Sequence, residues 1–319
     1  MVDENIKAPA SLETSQEATR TRFLKIALEK NKISSPFVEE AHAFRALVEK
    51  RVKSSTDLVV LGDVRQFMLA AAGLSDKSLK YLSEEDKQLA LNKLNDEFLK
   101  PAGDRFVDEA IYRYLLIKGD AVGGSMRNII GKFGEWELVR SIMLMLNIQG
   151  ISFEILKLDD AKKTTEKWSR VDALTEGLER DVKAMRWRHS AGERVFVLNS
   201  KISIVNKNVD LCLFSGWGSK IQQLASSVEN AIMMGELKGG IDPAGADEHW
   251  KTANSALSRI RTAFEEQRHP VKLGFIGASI ETNMAKEIFD QYQSGLLDKV
   301  ANLTNDSQVA AFSHWLINL

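Results

Sequence analysis

Two apolar stretches of this chain carry charges where a strand would bury them, and that conflict constrains the fold more than any other feature. Lys207-Asn208-Val209-Asp210-Leu211-Cys212-Leu213-Phe214 sets one carboxylate inside an apolar run, and Ile232-Met233-Met234-Gly235-Glu236-Leu237-Lys238-Gly239-Gly240 sets a second just before a lysine. An unpaired charge out of water is costly, so acids in such positions are paired or bind a metal. Alternate residues of a strand face the same way, which aims Glu236 and Lys238 into one pocket. Asp210 enters that pocket from the neighbouring strand. Two carboxylates and a lysine at the ends of adjacent strands suit metal-dependent phosphodiester cleavage, because magnesium is a small, hard cation that takes oxygen ligands and bridges to phosphate.

The acid-x-lysine triplet alone is a weak signal, because 27% of the chain is charged. Glu85-Asp86-Lys87, Asp160-Ala161-Lys162 and Asp181-Val182-Lys183 fit it by chance. Glu236-Leu237-Lys238 differs in its context, an apolar run before it and two glycines after it. Asp210 likewise interrupts Ile202-Ser203-Ile204-Val205 and Leu211-Cys212-Leu213-Phe214, which otherwise resemble strands. Spacing alone leaves open a structural ion pair at a sheet edge.

The first hundred or so residues read as helical. Thr19 to Lys30 is amphipathic, Ser35-Pro36 breaks it, and Phe37 to Val52 resumes the pattern. Asp63 to Ala72 and Ser83 to Leu99 continue in the same style, the latter opening on a near capping box of Ser83 and Asp86. Pro101-Ala102-Gly103 marks another break, followed by a helix from Phe106 to Ile117. Gly123-Gly124 reads as a loop before a further helix, Trp136 to Leu146. From about Glu154 strand-like runs appear, among them Val195 to Leu198 and Leu273 to Gly277. Alternating helix and strand there predicts an α/β core. The expected organisation is a mainly helical region over 1–115 and an α/β catalytic domain over 116–319.

Composition limits the alternatives. The chain has 319 residues, 44% hydrophobic content and a net charge of −1, which exclude disordered and collagen-like classes. Near-zero net charge neither supports nor opposes DNA binding, which depends on where the cations face. The single cysteine, Cys212, reads as a small core residue and fits a reducing, cytoplasmic compartment. The N-terminal stretch is polar, without the apolar core of a signal peptide. The longest run of large apolar residues, Ile142 to Leu146, is too short to span a bilayer.

Longer segments narrow the function. Gly235-Glu236-Leu237-Lys238-Gly239-Gly240-Ile241-Asp242-Pro243-Ala244-Gly245-Ala246-Asp247-Glu248-His249-Trp250-Lys251-Thr252-Ala253-Asn254 closely resembles the catalytic segment of the BsoBI/AvaI family of type II restriction endonucleases. So do Lys207 to Phe214, Gly119 to Asn128, and Gly295-Leu296 with Ala301-Asn302-Leu303-Thr304. The resemblance covers nearly the whole chain and is weakest before about Arg20 and between about Leu156 and Val195. It implies a helical N-terminal region on a mixed α/β core of the PD-(D/E)XK nuclease type. It also implies Mg2+-dependent water attack on the phosphodiester at the degenerate palindrome CYCGRG, leaving a 3'-hydroxyl and a 5'-phosphate.

In that setting Asp210 and Glu236 are the expected metal ligands, with a strand carbonyl such as that of Leu237, and Lys238 orients the water or stabilises the transition state. His249, at the start of a helix running to about Phe264, matches a histidine thought to serve in the family's active site. Its imidazole can accept a proton. Read without the family, it is an exposed first-turn histidine beside Asp247 and Glu248. The remaining histidines have no metal-ligand spacing.

Lys77, in a turn between helices, matches a family lysine taken to read the purine through the N7 acceptor that A and G share. Asp242 matches an aspartate near the same degenerate pair. Each also has a plain reading, a solvated turn lysine and an Asp-Pro turn starter. Ser125, Arg127 and Asn128 of the glycine-rich stretch, with Lys207, are candidates for backbone contact, since glycines admit a phosphate and Arg127 offers a forked donor.

A palindromic target implies a two-fold homodimer closing around double-stranded DNA, and a host methyltransferase acting on the same site. Two other functions fit some of the residues: a structure-specific repair or recombination nuclease, and a non-catalytic DNA-binding protein with a relict ion pair.

Overall fold

A computed structural model describes residues 6–163, 165–190, 192–218 and 220–319, with the Arg127 side chain outside the described residues. The chain divides into two compact units, 24–129 and 1–23 with 130–319.

The 24–129 unit is helical. Its elements are most of α1 (Gln16–Val48), α2 (Ser55–Val60), α3 (Arg65–Ala71), α4 (Glu84–Leu94) and the first half of α5 (Phe106–Ile148). Ala41, Phe44 and Val48 recur at helical spacing on the buried face of α1. Phe67 of α3 stacks between Phe44 and Tyr114, with ring centroids 3.8 and 3.9 Å away. The capping box expected at Ser83 and Asp86 is formed at the start of α4.

Two expected breaks are absent. Pro36 does not interrupt α1. It lies on an exposed stretch, so the carbonyl that loses its N–H partner faces water, and the Ser34 and Ser35 hydroxyls donate to the carbonyls of Lys30 and Asn31 at 2.8 and 3.0 Å. The glycine-rich stretch 123–128 is likewise helix rather than loop, inside α5. Each helical glycine costs about 1 kcal/mol. Val122 and Met126, buried one turn apart, supply the packing that offsets it.

The second unit is built on an eight-stranded sheet, in the order β2-β1-β3-β4-β5-β6-β7-β8. The strands are β1 (Phe153–Lys157), β2 (Trp168–Arg170), β3 (Val182–His189), β4 (Gly192–Ile202), β5 (Lys207–Ser215), β6 (Ala231–Lys238), β7 (Lys272–Gly277) and β8 (Lys299–Asn302). Neighbours are antiparallel as far as β6, then parallel. Ser203, Ile204 and Val205, part of a run read as a strand, form a turn instead: β4 ends at Ile202 and β5 begins at Lys207, with Asn206 at φ 52°.

Parallel neighbours need crossovers. After α6 (Ile221–Ser226), these are α7 (Ala246–Glu266) and α8 (Thr282–Gln293), and the chain closes with α9 (Asp306–Ile317). Along α7, Ala246, Trp250, Ala253, Leu257, Ile260 and Phe264 keep a helical period, and they pack with α8 on one sheet face. Phe275 meets Trp250 edge-on at 5.0 Å, whereas a side chain at Gly274 would point at Phe312. Successive strand residues face opposite ways, so α9 covers the other face. The fold is α/β, a helical N-terminal region with a mixed sheet. No helix among the described residues is long and apolar enough to cross a membrane.

Candidate active site

β6 is the strand where the antiparallel half of the sheet meets the parallel half, and its last residues carry the charges. β5 pairs Leu211 with Gly235, and the next step of that register brings Asp210 to Glu236. The Lys238 ammonium donates to Glu236 Oε2 at 2.8 Å and reaches Asp210 Oδ2 at 3.3 Å. The Leu237 N–H donates to the same Asp210 oxygen at 3.0 Å. Two acids, a lysine and a strand backbone thus converge at one strand end.

Burial shapes the electrostatics. Glu236 is 4% exposed, and the loss of water raises its carboxyl to about 7, with repulsion from Asp210 adding to the rise and Lys238 opposing it. Burial works against the Lys238 ammonium, but Asp210 and Glu236 outweigh it and hold its pKa above the ordinary value. Two convergent carboxylates are hard oxygen donors of the kind a small divalent cation takes, and such a cation would favour the ionised form of Glu236. No group of three His, Cys, Asp or Glu side chains assembles into a metal cluster among the described residues. The remaining positions around an ion would fall to backbone oxygen and water.

His249 packs beside the loop that follows Lys238. A Cβ on Gly240 would stand 2.9 Å from His249 Cε1, so the ring rests against the chain just beyond Lys238. Its neighbour Trp250 anchors the helix start, buried against Phe275 and donating through Nε1 to Glu287 at 2.6 Å.

The sequence matches the family described as restriction endonuclease BsobI over residues 3–319. The chain belongs to this restriction endonuclease family. It is 43% identical to the type II restriction enzyme BsoBI of Geobacillus stearothermophilus, across 99% of this chain and 98% of that protein. It is 42% identical to the type II restriction enzymes named AvaI from Nostoc sp. and from Anabaena variabilis, again across 99% of this chain and 98% of each relative. A site-specific endonuclease is therefore the class of enzyme to which the strand-end acids must be fitted.

As a BsoBI-family chain it also carries residues expected to touch DNA. Asp242 is exposed and caps the short 3-10 turn Pro243–Gly245, accepting from the Ala244 N–H at 3.0 Å. The turn-starter role is thus present, and the second carboxylate oxygen remains for other partners. Lys77 stands exposed in the 24–129 unit, just before the 3-10 turn Ser78–Lys80. Ser125 and Asn128 are exposed on α5, where the Ser125 hydroxyl donates to the Val122 carbonyl at 2.9 Å. Lys207 is exposed at the first position of β5.

Glu135, Asn199 and Lys183 carry no site signal in the sequence. Asn199 Nδ2 donates to Glu135 Oε1 at 2.8 Å, and Lys183 Nζ donates to the Asn199 carbonyl at 2.9 Å. No short motif joins residues drawn from α5, β3 and β4. Lys183 even belongs to a triplet set aside as accidental.

Proposed function

We propose that this protein cleaves double-stranded DNA at CYCGRG in a Mg2+-dependent reaction, with Asp210, Glu236 and Lys238 at the cleavage site. The observation that carries the reading is the Lys238 ammonium set between two carboxylates, 2.8 Å from one and 3.3 Å from the other. Asp210 and Glu236 hold Mg2+, with the Leu237 carbonyl as a further oxygen donor. When bound, the ion supplies charge stabilisation to the phosphorane and acidifies water.

The chain's own groups do the rest. Water adds to phosphorus, the bond from phosphorus to the 3'-oxygen breaks, and the products carry a 3'-hydroxyl and a 5'-phosphate. Lys238 holds a fixed positive charge beside the reacting phosphate. His249, beside the loop that follows Lys238, accepts a proton from the attacking water or orients it. Lys77 and Asp242 read the degenerate base pairs, while Ser125, Arg127, Asn128 and Lys207 meet the backbone.

A homodimer matches a palindromic target, each subunit cutting one strand. The helical region, 1–115 by sequence reading, serves as the DNA clamp, and 116–319 as the catalytic domain. In a host cytoplasm such an enzyme acts in restriction of foreign DNA and requires a methyltransferase protecting the same sites.

Digestion of a DNA of known sequence in magnesium tests the proposal. Fragment ends at CYCGRG sites, lost in Lys238→Ala or when calcium replaces magnesium, are the expected result. Cutting elsewhere would remove the recognition roles of Lys77 and Asp242, and intact DNA with the folded wild-type protein would remove the activity.

A further inference from the structure

One more acid is drawn toward the strand end that carries Asp210. Glu135 lies on α5, and the close approach of α5 to the sheet explains how it arrives there. A Cβ on Gly239 would stand 2.5 Å from the Gly131 carbonyl oxygen, and one on Gly134 would stand 2.8 Å from the Gly239 Cα. No side chain separates the helix backbone from the residue that follows Lys238.

The opposite wall is β4. Its register pairs Leu198 with Leu211 and Ser200 with Val209, leaving Asn199 across from Asp210. Asn199 has φ 49°, in the left-handed region. Asparagine enters that region at less cost than most residues, and surrounding contacts hold it there. Lys183 supplies them, donating to the carbonyls of both Leu198 and Asn199. The turned backbone aims the Asn199 amide at Glu135, 2.8 Å away. Burial raises the Glu135 carboxyl pKa; the Asn199 hydrogen bond opposes this, repulsion from Asp210 adds to it, and Lys132 and Lys183 offset part of the rise.

We propose that Glu135 is a positioning residue of the cleavage site, held toward Asp210 by the Lys183–Asn199 clamp so that its charge strengthens the binding of a divalent cation between Asp210 and Glu236. The inference rests on reading Asp210, Glu236 and Lys238 as that site. Lys238 already offsets one of the two carboxylates, so the pair alone offers a dication little net charge. Glu135 adds to it without being a ligand, and acts through Asp210.

Manganese(II) binding to the full-length protein without DNA, followed by the loss of the free-ion paramagnetic resonance signal, is the direct test. Glu135→Gln keeps an oxygen for Asn199 but removes the charge. The expected result is roughly tenfold weaker manganese binding with no loss of Tm, with a matching rise in the magnesium needed for cleavage and rescue by excess magnesium. Asn199→Gly keeps the left-handed backbone while losing the amide, and should weaken binding by a smaller factor. Unchanged manganese affinity in both variants overturns the proposal, as does a lower Tm with no change in affinity. Asp210→Asn separates this from the underlying reading. If it still cuts at the wild-type rate, the cleavage site itself is misplaced. If it is inactive while Glu135→Gln binds manganese normally, only the role of Glu135 falls.

Discussion

Several charge pairs of the helical unit sit in water, whereas those at the end of β6 are largely out of it. Arg51 with Asp63 and Lys100 with Asp96 keep side-chain exposures of 41% and 62%, and of 55% and 61%, while Lys238 and Glu236 retain 22% and 6%. Exposed pairs contribute little to stability. Buried charges cost desolvation that their attraction does not always return. The helical unit is accordingly held by its interior, the Phe44–Phe67–Tyr114 stack with Leu58, Met68 and Leu91. The sheet unit also has a large apolar core, yet it keeps three ionisable groups together where apolar residues would pack at lower cost. That contrast supports the proposal that the strand end serves chemistry rather than stability.

The largest effect that would sharpen the contrast lies in the helical core. Phe67→Ala removes the middle ring of the stack and should cost about 3–5 kcal/mol, read as a fall in denaturant midpoint. A loss below about 1 kcal/mol would show that the unit is not held by that interior.

Next comes Glu236→Gln, which should stabilise the metal-free protein by about 2 kcal/mol at neutral pH. The folded carboxyl titrates near 7, above its unfolded value of 4.5. The folded state therefore binds more protons between those values, and wild-type stability falls as pH rises through that window. The advantage of the glutamine variant should grow from pH 4.5 to pH 7 and vanish below it. A pH-independent difference would contradict the burial argument.

Gly239→Ala forces a methyl group against the α5 backbone and should cost roughly 1–3 kcal/mol by overpacking, with lower cleavage from a displaced Lys238. Normal stability and rate would mean that the close approach is dispensable. At the small end, Lys100→Ala should leave Tm unchanged, because its ion pair is exposed. A measurable loss there would blur the distinction between the two units.

Much of the site was legible because it is local. Glu236 and Lys238 sit one strand period apart, and the apolar run around Asp210 announced the neighbouring strand. The α/β class followed from alternating runs such as Leu273 to Gly277. What was missed depends on tertiary context. Pro36 and the glycines at 123 and 124 read as breaks, but solvent and buried neighbours keep both helices continuous. β3 was hidden by Lys183, Arg186 and Arg188, cations that a buried strand rarely carries. Arg186 is accommodated between Trp168 and Trp217, 4.5 Å from each ring, and pairs with Glu154. The four-residue β8 is too short to show a period. The Glu135–Asn199 contact joins positions 64 apart and depends on a left-handed residue that no side-chain pattern encodes.

The central claim, that the buried Asp210–Glu236–Lys238 cluster performs the cleavage, is tested most directly by single-turnover cutting with Lys238→Ala bound to a CYCGRG duplex. Binding is first measured in calcium, and the reaction is then started with magnesium. Near-wild-type binding and a cleavage rate lower by about 10²–10³ are expected. Cleavage at the wild-type rate from the bound complex would contradict the claim.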